Sequence, residues 1–98
     1  MTPRLFLRPE ARVELAEAFR WYEERSAGLG HEFIRAVRIA LAAIERAPAQ
    51  FPVALDDIHR ARLRRFPYLI YYVALPTGIS VLAIMHGRRD PRRWQSRR

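Results

Sequence analysis

The chain has 98 residues, 50% of them hydrophobic, and no cysteine, so one domain over residues 1–98 with a small core is expected, without disulfides or thiolate metal sites. No apolar run nears the roughly 20 residues of a membrane span, no signal-peptide core opens the chain, and His31, His59 and His86 lack metal-ligand spacing; a cytoplasmic protein without cofactor or metal is expected. The net charge of +8 is uneven: residues 1–57 sum to −1 (8 Arg, 9 acids) and residues 58–98 to +9 (10 Arg, Asp90), which suits a polyanion or an acidic partner.

Arg4 to Arg8 (RLFLR) reads as a short extended run. Pro9 ends it, since proline cannot continue a ladder but fits the first turn of a helix. A first helix is predicted from Pro9 to Ser26, with Ala11, Leu15, Ala18, Phe19 and Tyr22 on one face. Glu10, Glu14, Glu17 and Glu24 fall mostly on other faces, and Glu23 and Glu24 are read as solvated. Arg8 stands where a capping Ser, Thr or Asp would be better. Two glycines in Ser26–Gly30 mark a tight connection. A second helix follows from His31 to Ala47, with Phe33, Val37, Ala40, Leu41 and Ile44 on one face and Pro48 as its stop. So short a loop folds the pair into an antiparallel hairpin.

Ala49 to Asp57 reads as a loop, and after it the period changes. Ile58 to Phe66 alternates in part, with Ala61 and Leu63 to one side and Arg60, Arg62 and Arg64 to the other. Pro67 separates this run from Tyr68–Leu75, and Pro76-Thr77-Gly78 is a turn signal before the β-rich run Ile79–Met85. His86 to Arg98 is basic, without period, and reads as a tail. The order β-α-α-β-β-β predicts an α+β fold: a helical hairpin packed on one face of a small antiparallel sheet, with the other face open.

Three groups of residues carry chemistry. Arg60, Arg62, Arg64 and Arg65 form a basic run, and a row of guanidinium groups on an open sheet face makes a phosphate track; an ordinary solvated face is the alternative. Tyr68, Tyr71 and Tyr72 lie beside it. Tyr72 or Tyr68 can face with the arginines to stack bases, although tyrosines in a central strand are more often core residues. His86, at the end of the last strand beside Arg88, Arg89 and Asp90, has the residue type of a general acid or base, or of a histidine that bonds the backbone at a turn. Asp90 can tether a neighbouring arginine, and Trp94 can fold the tail onto the body or meet a partner. No nucleotide-binding glycine loop, GxSxG, HExxH or carboxylate pair in a cleft is apparent.

In this order and spacing, several segments together resemble the RelE/ParE superfamily of bacterial type II toxins. They are Pro9-Glu10-Ala11, Glu14-Leu15, Trp21-Tyr22-Glu23, Gly28-Leu29-Gly30 with Phe33, and Ile44 with Pro48 and Phe51-Pro52. They continue through Arg64-Arg65-Phe66-Pro67-Tyr68, Ile70-Tyr71-Tyr72, Val81-Leu82-Ala83 and the HGRRDP segment from His86 to Pro91, with Trp94 beyond. For a RelE-like member the resemblance implies a ribosome-dependent, metal-independent mRNA endoribonuclease, with Arg64, Arg65 and His86 near the expected chemistry. For a ParE-like member it implies a poison of DNA gyrase without catalytic residues of its own, in a plasmid-stabilising module. The HGRRDP segment is similar to the ParE-like end of the superfamily. The sheet has no lysine and no Tyr follows the last strand, both departures from the RelE-like pattern. A gyrase poison is the favoured expectation and the ribosomal RNase the alternative. Either implies a cognate antitoxin with a disordered, often acidic segment lying along the helical hairpin and across the sheet. Arg60, Arg62, Arg64, Arg65, Tyr72, Arg88, Arg89 and Trp94 are the expected partner or nucleic-acid surface.

Overall fold

The computed structural model describes residues 4–97. Pro9 both ends β1 (Leu5–Leu7) and opens α1 (Pro9–Arg25). Its ring removes a ladder donor, yet it fits the first helical turn, where that amide is unpaired anyway. Arg8 precedes the helix in an extended conformation and gives no side-chain cap. Ala11, Ala18 and Tyr22 are the buried positions of α1, as the helical spacing predicts.

The second helix, α2 (Leu29–Arg46), starts earlier than expected, inside the glycine-marked break. Gly28, at φ +90°, turns the chain in the left-handed region. Gly30 lies already within the helix, where a Cβ would stand 2.7 Å from the Phe19 carbonyl oxygen and 2.9 Å from the Glu23 side chain. Its smallness allows the helices to cross closely. Gly30→Ala is expected to destabilise by about 1–3 kcal/mol through overpacking. Chemical denaturation reads this as a lower midpoint with an unchanged slope; an unchanged midpoint would mean that the crossing relaxes freely.

Glu23 is not a solvated surface acid. Its carboxylate accepts the Gly28 N–H at 2.8 Å and the Gly30 N–H at 2.9 Å, capping the start of α2 from α1. The Gly28 amide is the main cause that holds its pKa below the ordinary carboxylate value; partial burial opposes it and the Gly30 amide adds to it. A depressed folded-state pKa means stabilisation that is complete above the ordinary carboxylate range and lost as the pH falls through the folded value. Glu23→Gln should therefore lower Tm at pH 7, with the gap to the parent closing in acid. A gap of equal size at both pH values would sink the electrostatic account.

The remaining elements are β2 (Val53–Leu55), β3 (Ile58–Arg62), β4 (Tyr68–Leu75), β5 (Gly78–His86) and the one-turn helix α3 (Arg92–Gln95). The five strands lie in the order β1-β5-β4-β3-β2. The sheet is mixed rather than wholly antiparallel. The helical hairpin carries the chain across the sheet, so β1 and β2 form opposite edges, and β1 pairs parallel to β5 in the register Leu5↔Ile79, Phe6↔Ser80, Leu7↔Val81. Gly78, at φ +140°, allows this, since a Cβ there would meet the Arg4 carbonyl. The segment read as a loop contains β2, three exposed residues paired to β3 through Val53↔His59 and Leu55↔Ile58. So short a strand, with no buried side, has no period to read.

Two cores result. Between helices and sheet lie Ala18, Tyr22, Phe33, Val37 and Ile44 with Ala61, Ile70, Tyr72, Ile79, Val81 and Ile84. On the far face lie Ile58, Leu69, Tyr71, Val73, Leu82, Ala83 and Met85 with Trp94. A bulge opposite Tyr71 and Tyr72 puts both Leu82 and Ala83 on that far face. The expected open face is thus covered in part, because the tail folds back and lays the Trp94 indole over it.

Candidate functional site

The basic run is divided by a bend. Arg60 and Arg62 pair across the sheet with Tyr71 and Leu69 and project from the far face, away from the helices, as alternation predicts. β3 ends at Arg62, so Arg64 does not continue the row. Arg65 takes the left-handed conformation (φ +71°) in the turn to β4, and its guanidinium donates to Glu32 of α2 at 3.0 Å. Arg64 and Arg65 line a groove of about 480 Å³ between α2 and β3, with Arg35, Ile39 and Phe51.

Tyr72 faces the helices and is completely buried. Its hydroxyl donates to the Pro48 carbonyl at 2.6 Å and its ring stacks on His59, whose Nδ1 meets the Phe51 carbonyl oxygen at 2.7 Å. Burial pushes its pKa up to about 12. Tyr72 therefore ties the α2–β2 connection to the core and does not share the arginine face. Tyr68 is half-buried against Tyr22 and Phe33, and its pKa is raised by burial, with nearby Arg89 opposing.

His86 pairs with Tyr68 across the sheet, so it stands near the end of the Arg64–Arg65 turn but lines a different opening. It helps to line a cleft of about 610 Å³ beside α1, together with Glu14, Glu17, Trp21, Tyr68, Arg89 and Arg93. Its Nδ1 accepts the Arg88 N–H at 3.1 Å, which leaves the proton of the neutral ring on Nε2. The structure therefore does not gather His86, Arg64 and Arg65 into one site; they fall in two separate openings.

The basic tail is pinned at several points. Trp94, 3% exposed, stacks on Tyr71 with centroids 4.2 Å apart. The Arg92 fork grips Asp90 at 2.7–3.2 Å and holds that carboxyl below its usual pKa, mainly through the side-chain hydrogen bonds. Beyond the short β1, side chains take over the outer edge of β5. Glu14 accepts the Ile84 N–H at 3.0 Å, and Arg97 donates to the Leu82 carbonyl at 3.2 Å and pairs with Glu14 at 2.9 Å. An unpaired strand edge is thereby closed without another strand. Among the described residues, Arg60, Arg62, Arg64, Arg88, Arg89 and Arg93 carry no ion pair, whereas Arg65, Arg92 and Arg97 are held by Glu32, Asp90 and Glu14.

The family described as "ParE toxin of type II toxin-antitoxin system, parDE" matches residues 5–91. The chain belongs to this family. Among solved structures it is similar to a chain of the chromosomal ParDE TA system from P. aeruginosa, with a TM-score of 0.74 at 14% identity. That match covers 87% of this chain and 96% of the other, and it supports the fold. No curated protein matches the chain. No helix among the described residues is long and apolar enough to cross a membrane, and no group of three metal-ligating side chains occurs among them.

In this ParE-family chain, sequence reading missed Glu14, Glu17 and Trp21 as residues of a cleft. They follow one another at i, i+3 and i+7, the spacing of a single helix face, with a large aromatic among them. That signal marks a shared face but not what stands opposite it, which is the tail.

Proposed function

We propose that this ParE-family protein is the toxin of a type II toxin–antitoxin module that poisons DNA gyrase and is neutralised by a cognate antitoxin. The observation that favours a poison over an RNase is that His86 lines one opening and bonds its own turn, whereas Arg64 and Arg65 line another, with Arg65 held by Glu32. Cleavage at a 2′-hydroxyl needs an acid–base group and cations converging on one phosphate, within hydrogen-bond reach. Here the histidine bonds its own turn and the arginines face another opening. What is left unpaired on the surface is charge, the means by which a protein grips a large partner.

The antitoxin is expected to offer an acidic, extended segment to the helical hairpin and the sheet, covering unpaired arginines and the tail. Arg35 and Arg64 around the Ile39–Phe51 groove suit such a segment. The deciding experiment mixes purified toxin, gyrase, ATP and plasmid, then denatures. Gyrase-dependent linear DNA is expected, and His86→Ala should leave it largely intact, whereas truncation after Met85 should abolish it. Unaffected gyrase, together with mRNA cut in ribosomes exposed to the folded toxin, would replace this reading with the RNase.

A further inference from the structure

The cleft between α1 and the tail has two unlike walls. On α1 stand Glu17 and Trp21, the latter 48% exposed although it is one of the largest apolar side chains in the protein. Arg25 lies over one face of the indole, 3.4 Å from its centroid, and Trp21 is a lining residue of the cleft. Across from them are Arg89 and Arg93 of the tail. Glu14 also lines the space, but its carboxylate is taken by Ile84 and Arg97. By contrast, the Glu17 carboxylate and the Arg89 and Arg93 guanidinium groups make no hydrogen bond among the described residues. With the Glu14 charge balanced by Arg97, Glu17 stands against Arg89 and Arg93, so the cleft suits an anion.

We propose that this cleft binds a nucleotide, with the base against Trp21, the phosphate between Arg89 and Arg93, and Glu17 accepting hydrogen bonds from the edge of the base. Its volume of about 610 Å³ lies within the usual range for small-molecule sites. Arginine forks match phosphate oxygens, and tryptophan offers a stacking surface to any base. Glu17 adds selectivity. An ionised carboxylate only accepts, so it favours guanine, whose N1–H and N2–H₂ lie side by side, over adenine, whose edge mixes donor and acceptor. A carboxylate ligand such as an acidic peptide would engage the arginines but leave Trp21 unused and meet repulsion from Glu17. The inference stands apart from the gyrase reading, since binding is measured with no gyrase present.

The test titrates the full-length protein with GMP, AMP, inorganic phosphate and a short single-stranded oligodeoxynucleotide rich in guanine, by calorimetry. GMP should saturate one site, AMP should bind more weakly, and phosphate more weakly still. Trp21→Ala and Arg93→Ala should each weaken GMP by about tenfold or more, as loss of a stacked base or of a phosphate contact predicts. Glu17→Gln should remove the preference for guanine. An oligonucleotide far tighter than GMP would identify the ligand as an unpaired nucleotide of a strand, and equal binding as a free nucleotide. No saturable binding of either would overturn the proposal. So would phosphate binding as tightly as GMP, or affinity unchanged in both Trp21→Ala and Arg93→Ala. Arg93 is exposed on the tail, so its variant keeps the test decisive even if Trp21→Ala folds poorly.

Discussion

Phe33→Ala should lower stability by about 3–5 kcal/mol, the range for removing a buried aromatic ring. Phe33 is fully buried and sits at the centre of an aromatic group, 5.2 Å from Tyr22, 5.3 Å from Phe66 and 5.0 Å from Tyr68 between ring centroids. Those rings come from α1, the β3–β4 turn and β4, so one side chain on α2 joins three separate elements. Collapse into the vacated space would need all three to shift together, which places the loss toward the upper part of the range. In a domain of this size that corresponds to a fall in Tm of about 15 °C or more. Differential scanning calorimetry decides it, and a loss near 1 kcal/mol would show that the aromatic group repacks around the hole. Phe33→Leu, which keeps much of the volume, should cost clearly less.

Trp94→Ala should cost about 3 kcal/mol and release the tail. The indole covers Tyr71 on the far face of the sheet at 4.2 Å, and its loss exposes apolar surface that includes Leu82 and Met85. The penalty stays at the low end of the range for tryptophan because the indole Nε1 is buried without a hydrogen-bond partner. An unsatisfied buried donor costs about 1–3 kcal/mol, which offsets part of what the ring contributes. Trp94→Phe is therefore expected to be nearly neutral, since it keeps a stacked ring and removes the orphaned N–H. Limited trypsinolysis reads the tail directly: cutting at Arg92 and Arg93 should accelerate in the alanine variant and not in the phenylalanine one. Equal cutting rates in the parent and Trp94→Ala would mean that Trp94 does not dock the tail. Because Arg97 also clips the tail through Glu14, Glu14→Gln combined with Trp94→Ala should release it more completely than either alone.

Some errors in reading the sequence share a cause. Glycines in Ser26–Gly30 signal a break, but only Gly28 breaks; Gly30 is glycine because Phe19 and Glu23 of another helix approach it. Tyr72 lies next to the arginine strand in the chain, yet its partner across the sheet, Val81, shares its helix-facing side. Arg64 and Arg65 extend the basic run in sequence, but the bend at Arg65 turns them toward α2.

The sequence by itself determined the two helices, the β-rich runs, their order and the gathering of charge in residues 58–98. These are legible because backbone geometry repeats: a helix returns the same face every 3.6 residues and a strand every two, so burial leaves a local pattern. The parallel pairing of β1 with β5, the covering of the far face and the two openings were decided only by the tertiary structure. Arg97 meets Glu14 across 83 positions of chain, and Trp94 meets Tyr71 across the sheet. No period links such residues. What joins them is the need of a free strand edge for hydrogen-bond partners and of an apolar face for cover, and both needs arise once the sheet has formed.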